Sequence, residues 1–299
     1  MSEAYHRPVL LQESIEGLNI KPDGIYVDAT YGGGGHSKEI LKHLKTGKLL
    51  VFDQDEEALK NKVEDKKFML IRSNFRYIKN FLKYHEALPV DGLLADLGIS
   101  SHQIDRPERG FSTRFSGELD MRMDTASGKS ALEVINTYPE EELQRIFREY
   151  ADLKEARRVA KAIVAERTNG KIKTTGQLKE ILQKLAPRNK ESQFFSRVFQ
   201  AIRIEVNDEI AALKELLLQC NDILAQGGRL AVISYHSLED RLVKNFIKSG
   251  NLEGKIEKDF FGNPQVTFKA IGKPVTPSDE EIELNSRARS ARLRIAEKL

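Results

Sequence analysis

An α/β fold is predicted for this chain: a parallel sheet covered by helices on both faces and interrupted by a helical insert. Three observations carry the prediction. Short apolar runs alternate with helical patterns over the first hundred residues. The connections between them are short, as in strand–helix repeats of a parallel sheet. The alternation stops near residue 98, gives way to a strandless helical stretch, and resumes in the last third of the chain.

The first strand is Ile25-Tyr-Val-Asp-Ala29, followed by a helix near His36–Leu44. Lys48-Leu-Leu-Val-Phe-Asp53 is the second strand, with a helix near Glu56–Lys62 after it. Phe68-Met-Leu-Ile71 is the third, followed by a helix near Phe75–Tyr84, and Val90-Asp-Gly-Leu-Leu-Ala-Asp96 is the fourth. Residues 98–130, rich in Gly, Ser, Arg and Asp, read as a long loop, and long ordered loops are usually functional. From Pro139, Leu143, Ile146, Phe147, Tyr150, Leu153, Val159, Ile163 and Val164 recur at helical spacing. A further helix starts at Thr174 or Thr175 and is closed by Pro187. One long helix is expected over Ser196–Leu224, ended by Gly227-Gly228, then the strand Arg229–Ser234. Ser237 reads as the N-cap of a helix to Ile247, with Asp240 three residues on. The last part, with Val266–Ile271, suggests one or two strands before a polar tail. The expected division is a sheet domain from residues 1–105 and 201–299, with 106–200 as loop plus helical insert.

Composition narrows the class. With 40% hydrophobic and 31% charged residues the chain is globular in type. Its one cysteine, Cys220, rules out an intrachain disulfide and Cys-based zinc sites. The N-terminus Met1-Ser-Glu-Ala-Tyr-His-Arg-Pro8 has no apolar signal core, and no run approaches the ~18 apolar residues of a span. A cytoplasmic protein with no membrane partner is expected. Charge is unevenly spread: residues 1–150 carry 21 basic and 25 acidic side chains, 151–200 carry 12 and 5, 201–284 carry 10 and 14, and 285–299 carry 5 and 1. Two basic patches on an acidic body suit a polyanion, although solvated helix faces would look the same.

The sharpest local feature is Asp28-Ala-Thr-Tyr-Gly-Gly-Gly-Gly-His-Ser37, between a strand end and a helix start. Successive glycines let a ligand approach the backbone, with helix-start N–H groups for its anionic part. The loop lacks Gly-Lys-Ser/Thr and the spaced G-x-G-x-x-G register, which argues against a P-loop and a dinucleotide. Asp53 ends the second strand, where a carboxylate accepts from ribose hydroxyls; Asp55 competes with it or serves as a helix cap. Asp28, Asp53 and Asp96 end successive strands and are expected at one crevice. S-adenosylmethionine suits this set: backbone donors for its carboxylate, Asp53 for its ribose, and carboxylates near its sulfonium. Ser234-Tyr-His-Ser-Leu-Glu-Asp-Arg241 follows the later strand, and His236 could orient or deprotonate an acceptor, or simply belong to a capped helix start. Neither a Gly-x-Ser-x-Gly elbow nor a His-Glu-x-x-His pair is present, and no metal is expected.

Taken together, these residues resemble the RsmH (MraW) family of bacterial 16S rRNA cytosine-N4 methyltransferases. The resemblance runs through His6–Glu13, Asp28–Ser37, Asp96–Asp105, Arg109–Ser112, Leu119–Asp124, Phe199–Glu209, Tyr235–Arg241 and Asn285–Ser290. It implies a Rossmann-like class I S-adenosylmethionine-dependent methyltransferase sheet, and methylation of N4 of a decoding-centre cytidine in 16S rRNA of the small ribosomal subunit. The implied cofactor contacts are Gly34, Gly35, His36, Asp53, Phe75, Asp96 and Gln103. Three loop positions depart from the family: His102 and Ser286 where proline is expected, and Thr113 where phenylalanine is expected. No Pro-Pro pair follows the fourth strand, so Asp96 or a nearby carbonyl is expected to hold the amine, with His236 as acceptor or proton relay. The basic helical stretch 151–200 and Arg287, Arg289, Arg292 and Arg294 are the expected phosphate-binding surfaces. A methyltransferase of the same fold acting on another RNA or DNA base, and a catalytically silent ribosome-assembly factor, remain alternatives at this point. The oligomeric state, a homodimer included, is left open.

Overall fold

The computed structural model describes residues 8–299; Met1–Arg7, with His6 and Arg7 of the family motif, lie outside the described residues. The chain forms two compact units, one from the segments ending at Gly98 and resuming at Ile210, the other Ile99–Glu209.

The sheet unit begins with α1 (Leu11–Leu18), which the sequence reading did not anticipate. There follow β1 (Ile25–Asp28), α2 (Gly35–His43), β2 (Lys48–Asp53), β3 (Phe68–Arg72), α3 (Ile78–Tyr84) and β4 (Val90–Asp96). The expected helix at 56–62 is a 3-10 helix, Glu56–Asn61, capped by Asp55. Alternate residues of each strand pack on opposite faces. Val27, Leu50, Leu93 and Ala95 join one core cluster, and Tyr26, Leu49, Val51 and Leu94 the other. Both faces are therefore buried, which is why these strands read as continuous apolar runs.

The helical unit holds α4 (Ser101–Asp105), α5 (Ala131–Thr137), α6 (Glu140–Glu149), α7 (Ala156–Glu166), α8 (Thr175–Leu182) and α9 (Glu191–Asn207). Capping boxes at Ser100/Gln103, Ser130/Glu133 and Thr174/Gln177 start three of these helices. Its core gathers Leu143, Ile146, Phe147, Val159, Ile163, Phe194, Val198 and Ile202. The unit is wider at both ends than the expected 106–200, because α4 opens it and α9 contributes to this core.

The single helix expected over 196–224 is two. Asp208 adopts a left-handed conformation, φ 50°, and separates α9 from α10 (Glu209–Ile223). Next comes β5 (Leu224–Ser234), longer than expected, because its pairing with β4 slips between Val90 and Gly92; Gly227-Gly228 lies in that irregularity and does not end the helix. The chain continues through α11 (Ser237–Ser249), a hairpin of β6 (Glu257–Lys258) and β7 (Pro264–Gln265), β8 (Phe268–Ala270), α12 (Asp279–Leu284) and β9 (Arg292–Lys298). The seven-stranded order is β3-β2-β1-β4-β5-β9-β8, parallel through β5 and antiparallel beyond it.

That order corrects the reading of the last residues as a polar tail beyond the strands. β9 pairs with β5 over Arg229–Ser234 and buries Leu293 and Ala296. Arg292 and Arg294, two apart, share one strand face and meet Asp240 of α11. Arg294 donates to both carboxylate oxygens, at 2.7 and 3.1 Å, and Arg292 at 3.1 Å. These two arginines brace the fold, and their guanidinium groups hold the Asp240 carboxyl below its usual range against the opposing effect of burial. Arg294→Ala is expected to cost about 1.5–3 kcal/mol, the range for hydrogen bonds to a charged group. Urea unfolding checks this. Asp240 contributes its stability above the ordinary carboxylate pKa and loses it as pH falls through its lowered one, so the gap between wild type and variant closes in acid.

Candidate functional site

The sheet order reverses about β1, so the ends of β1 and β4 flank the switch point where open α/β sheets leave a crevice. The loop from Asp28 to Ser37 crosses this edge. Asp28 is 1% exposed; its oxygens accept from the Thr30 amide at 3.1 Å and the Ser37 hydroxyl at 2.6 Å. Burial pushes its pKa up. Asp28 therefore braces the loop from below, and the expected three-carboxylate crevice reduces to two.

The glycines have distinct tasks. Gly34 has φ +75°, and a Cβ there would meet the Tyr31 ring within 2.8 Å. A Cβ on Gly35 would lie 2.1 Å from Pro8, whereas one on Gly33 meets nothing within 4 Å. Gly34 and Gly35 thus let the protein pack on itself, and Gly33 leaves the loop open on its outer side. The first N–H groups of α2, which have no acceptor inside the helix, start at Gly35.

Asp53 uses one oxygen to accept from Gly32 N at 2.7 Å and the other from Asp55 N at 2.8 Å. Each oxygen keeps a lone pair for a further donor. Burial pushes this carboxyl up to about 6 despite both hydrogen bonds. Asp55 caps the 3-10 helix through Glu57 N, so its carboxylate is engaged in the turn that follows β2. Phe75 opens a 3-10 turn after β3 and packs, half-buried, against the sheet core.

Asp96 receives the Tyr235 hydroxyl at 2.8 Å, and its amide donates to Thr30 Oγ1 at 2.7 Å. The ends of β4 and β5 are thereby joined. Burial pushes Asp96 up to about 6, opposed by His36 and by the Tyr235 hydrogen bond. His36 is 5% exposed, and its Nε2 lies 3.1 Å from the Val9 carbonyl, which can only accept. Nε2 therefore carries a proton, and Nδ1 faces the Asp96 carboxylate at 3.9 Å. Burial lowers the His36 pKa, opposed by the Asp96 carboxylate and by the Val9 hydrogen bond. Tyr235 was the residue the sequence reading missed as a partner of Asp96; its place directly after a strand end was the available signal.

His236, and not Ser237, is the N-cap of α11. Glu239 reaches back to accept from the amides of Tyr235 at 2.9 Å and His236 at 3.4 Å. This one-residue shift is what frees Asp240 for the β9 arginines. The largely buried His236 ring places Nε2 3.0 Å from Glu239 Oε1.

Gln103 lies in the helical unit. Its Oε1 accepts from Ser100 N at 3.0 Å and closes the capping box of α4. Other family-motif residues there are braces as well: Arg109 donates to the carbonyls of Arg122 and Met123, and Asn207 bridges Met121 and Met123. Among the described residues no cluster of three His, Cys, Asp or Glu could hold a metal, and no helix is long and apolar enough to cross a membrane.

Comparison with known proteins matches residues 3–299 to the model of the MraW methylase family. Curated relatives named ribosomal RNA small subunit methyltransferase H are similar over nearly the whole chain. The Flavobacterium johnsoniae protein is 58% identical over 296 residues, covering 99% of this chain and 98% of its own. The Cytophaga hutchinsonii protein is 58% identical, with 98% and 99% covered, and that of Bacteroides thetaiotaomicron 55%, with 98% and 97%.

Proposed function

Because the chain belongs to the MraW methylase family, we propose that it transfers the methyl group of S-adenosylmethionine to N4 of a decoding-centre cytidine in the 16S rRNA of the small ribosomal subunit. The residues at the sheet edge fit that cofactor. The open side of Gly33 and the start of α2 offer backbone donors to a carboxylate, and Asp53 retains lone pairs for ribose hydroxyls. S-adenosylmethionine held there would supply an electrophilic methyl carbon, with its sulfonium sulfur as the leaving group that keeps the bonding pair.

The observation that carries the acceptor chemistry is Asp96, aimed by Tyr235 and set with a pKa of about 6. A cytosine amine is a poor nucleophile because its lone pair is delocalised into the ring. A carboxylate accepting one N4–H holds the amine in place and draws that lone pair back onto nitrogen. Once the C–N bond forms, N4 carries a surplus proton, and Asp96, ionised above pH 6, takes it. His236, beside Glu239, is the second acceptor. The base must leave its stack to reach such a site, at a cost of a few kcal/mol.

The test is transfer of labelled methyl to small subunits lacking the modification, with free rRNA and DNA alongside and nucleoside analysis of the product. Label recovered as N4-methylcytidine from rRNA is the expected result. Label in another base, or in DNA, rejects the acceptor. Cofactor binding with no transfer to any acceptor would favour a silent assembly factor.

A further inference from the structure

A pocket of about 320 Å3 lies on the sheet unit, lined by residues of α11, β8, β9 and the turn after β8. Three of its lining residues are lysines, Lys244, Lys248 and Lys273, and none is a carboxylate. Its fourth cation, Arg294, is held in place by Asp240. Phe268 and Pro274 give it an apolar wall. No described acid pairs with the three lysines, in contrast to Lys21 with Asp91 or Lys79 with Asp222.

We propose that this pocket is a second nucleic-acid contact, seating a backbone phosphate of the rRNA a few nucleotides from the methylated base, with the attached sugar against the apolar wall. The proposal rests on the rRNA reading above. Lys244 and Lys248 stand four apart on α11 and repel each other, an arrangement that an anion between them relieves. Their helix is the one that His236 caps. At 1.5 Å per residue, Lys244 and Lys248 lie roughly 10 and 17 Å along it from Ser237, a span of a few nucleotides. The Arg294 guanidinium, tied to Asp240, gives the pocket a rigid wall, and the lysines supply the mobile charge that a phosphodiester attracts. The same arginine that the sequence assigned to a polar tail thus serves as part of a wall.

The test compares wild type with the triple variant Lys244→Gln/Lys248→Gln/Lys273→Gln. Expected are a KM for the small subunit raised about tenfold, with kcat and cofactor affinity unchanged. The slope of log binding constant against log salt should become shallower by about 2, at roughly 0.7 per cation on single-stranded RNA. The triple Lys→Arg variant should restore both. Ala270→Phe, which fills the pocket without altering charge, should raise KM and leave the cofactor affinity intact. Unchanged KM and salt slope in the Gln triple, with wild type methylating rRNA normally, would overturn the pocket alone. A wild type that transfers no methyl to rRNA would overturn the parent reading and the pocket with it.

Discussion

Asp96→Asn is expected to lower kcat for methyl transfer by about 10²–10³-fold, within the range for loss of a positioned acid–base group. The amide keeps the shape and can still accept from Tyr235, so the strand ends stay joined. It cannot take the N4 proton, and its NH2 turned toward the substrate would present a donor to a donor. If Asp96 also touches the cofactor, Asp96→Ala should weaken cofactor binding as well as turnover. Normal affinity in that variant, by calorimetry, would assign Asp96 to the acceptor alone. An Asp96→Asn enzyme with wild-type kcat would remove it from the mechanism and leave His236. Tyr235→Phe is the companion: it removes the hydroxyl that aims the carboxylate and should shift the acid limb of the pH–rate profile upward, because a hydrogen bond favouring the ionised form is lost.

Asp53→Ala is expected to raise the cofactor Kd about 10–100-fold. Hydrogen bonds to a charged group contribute about 1.5–3 kcal/mol, and about 1.4 kcal/mol is tenfold in affinity. Part of the loss comes through the protein itself, since the Gly32 and Asp55 amides lose their acceptor and the loop its anchor. The same carboxyl sets a pH dependence. In the free protein it is pushed up to about 6 by burial, so it carries a proton below that pH and accepts poorly from ribose. Cofactor affinity should therefore fall about tenfold per pH unit below 6, and this dependence should weaken in Asp53→Asn. Stability of the free protein runs the other way. Asp53 and Asp96 bind protons more readily folded than unfolded, so their contribution is complete below the unfolded pKa of about 4 and is lost as pH rises through about 6. Thermal melts from pH 5 to 7 should show a growing upward shift of Tm on adding S-adenosylhomocysteine. A shift that is flat across this range would mean that neither carboxyl is linked to the cofactor.

Much of this architecture is local and so was legible in the sequence. Strand–helix alternation, the glycine loop and the carboxylates at strand ends depend on periodicity and on residues a few positions apart, such as Asp28 with Ser37 or Asp53 with Asp55. What tertiary structure decided is which distant groups share a space. Three acids ended strands alike, yet Asp28 is sealed under the loop while Asp53 and Asp96 remain at the edge, a difference of burial that pattern does not encode. Tyr235 reaches Asp96 across 139 residues only because β5 lies beside β4. The basic tail and the helix before it were misread for a related reason. Short polar-apolar alternation in Arg292–Lys298 becomes a strand only when β5 and β8 offer edges on both sides, and those pairings then turn two apparent phosphate ligands into braces for Asp240. The break at Asp208 interrupts no apolar periodicity, so nothing local announced it; it separates a helix packed in one core from a helix packed in the other. Sequence determined the elements and the chemistry available to them, and the non-local pairing of strands decided which side chains were left to use it.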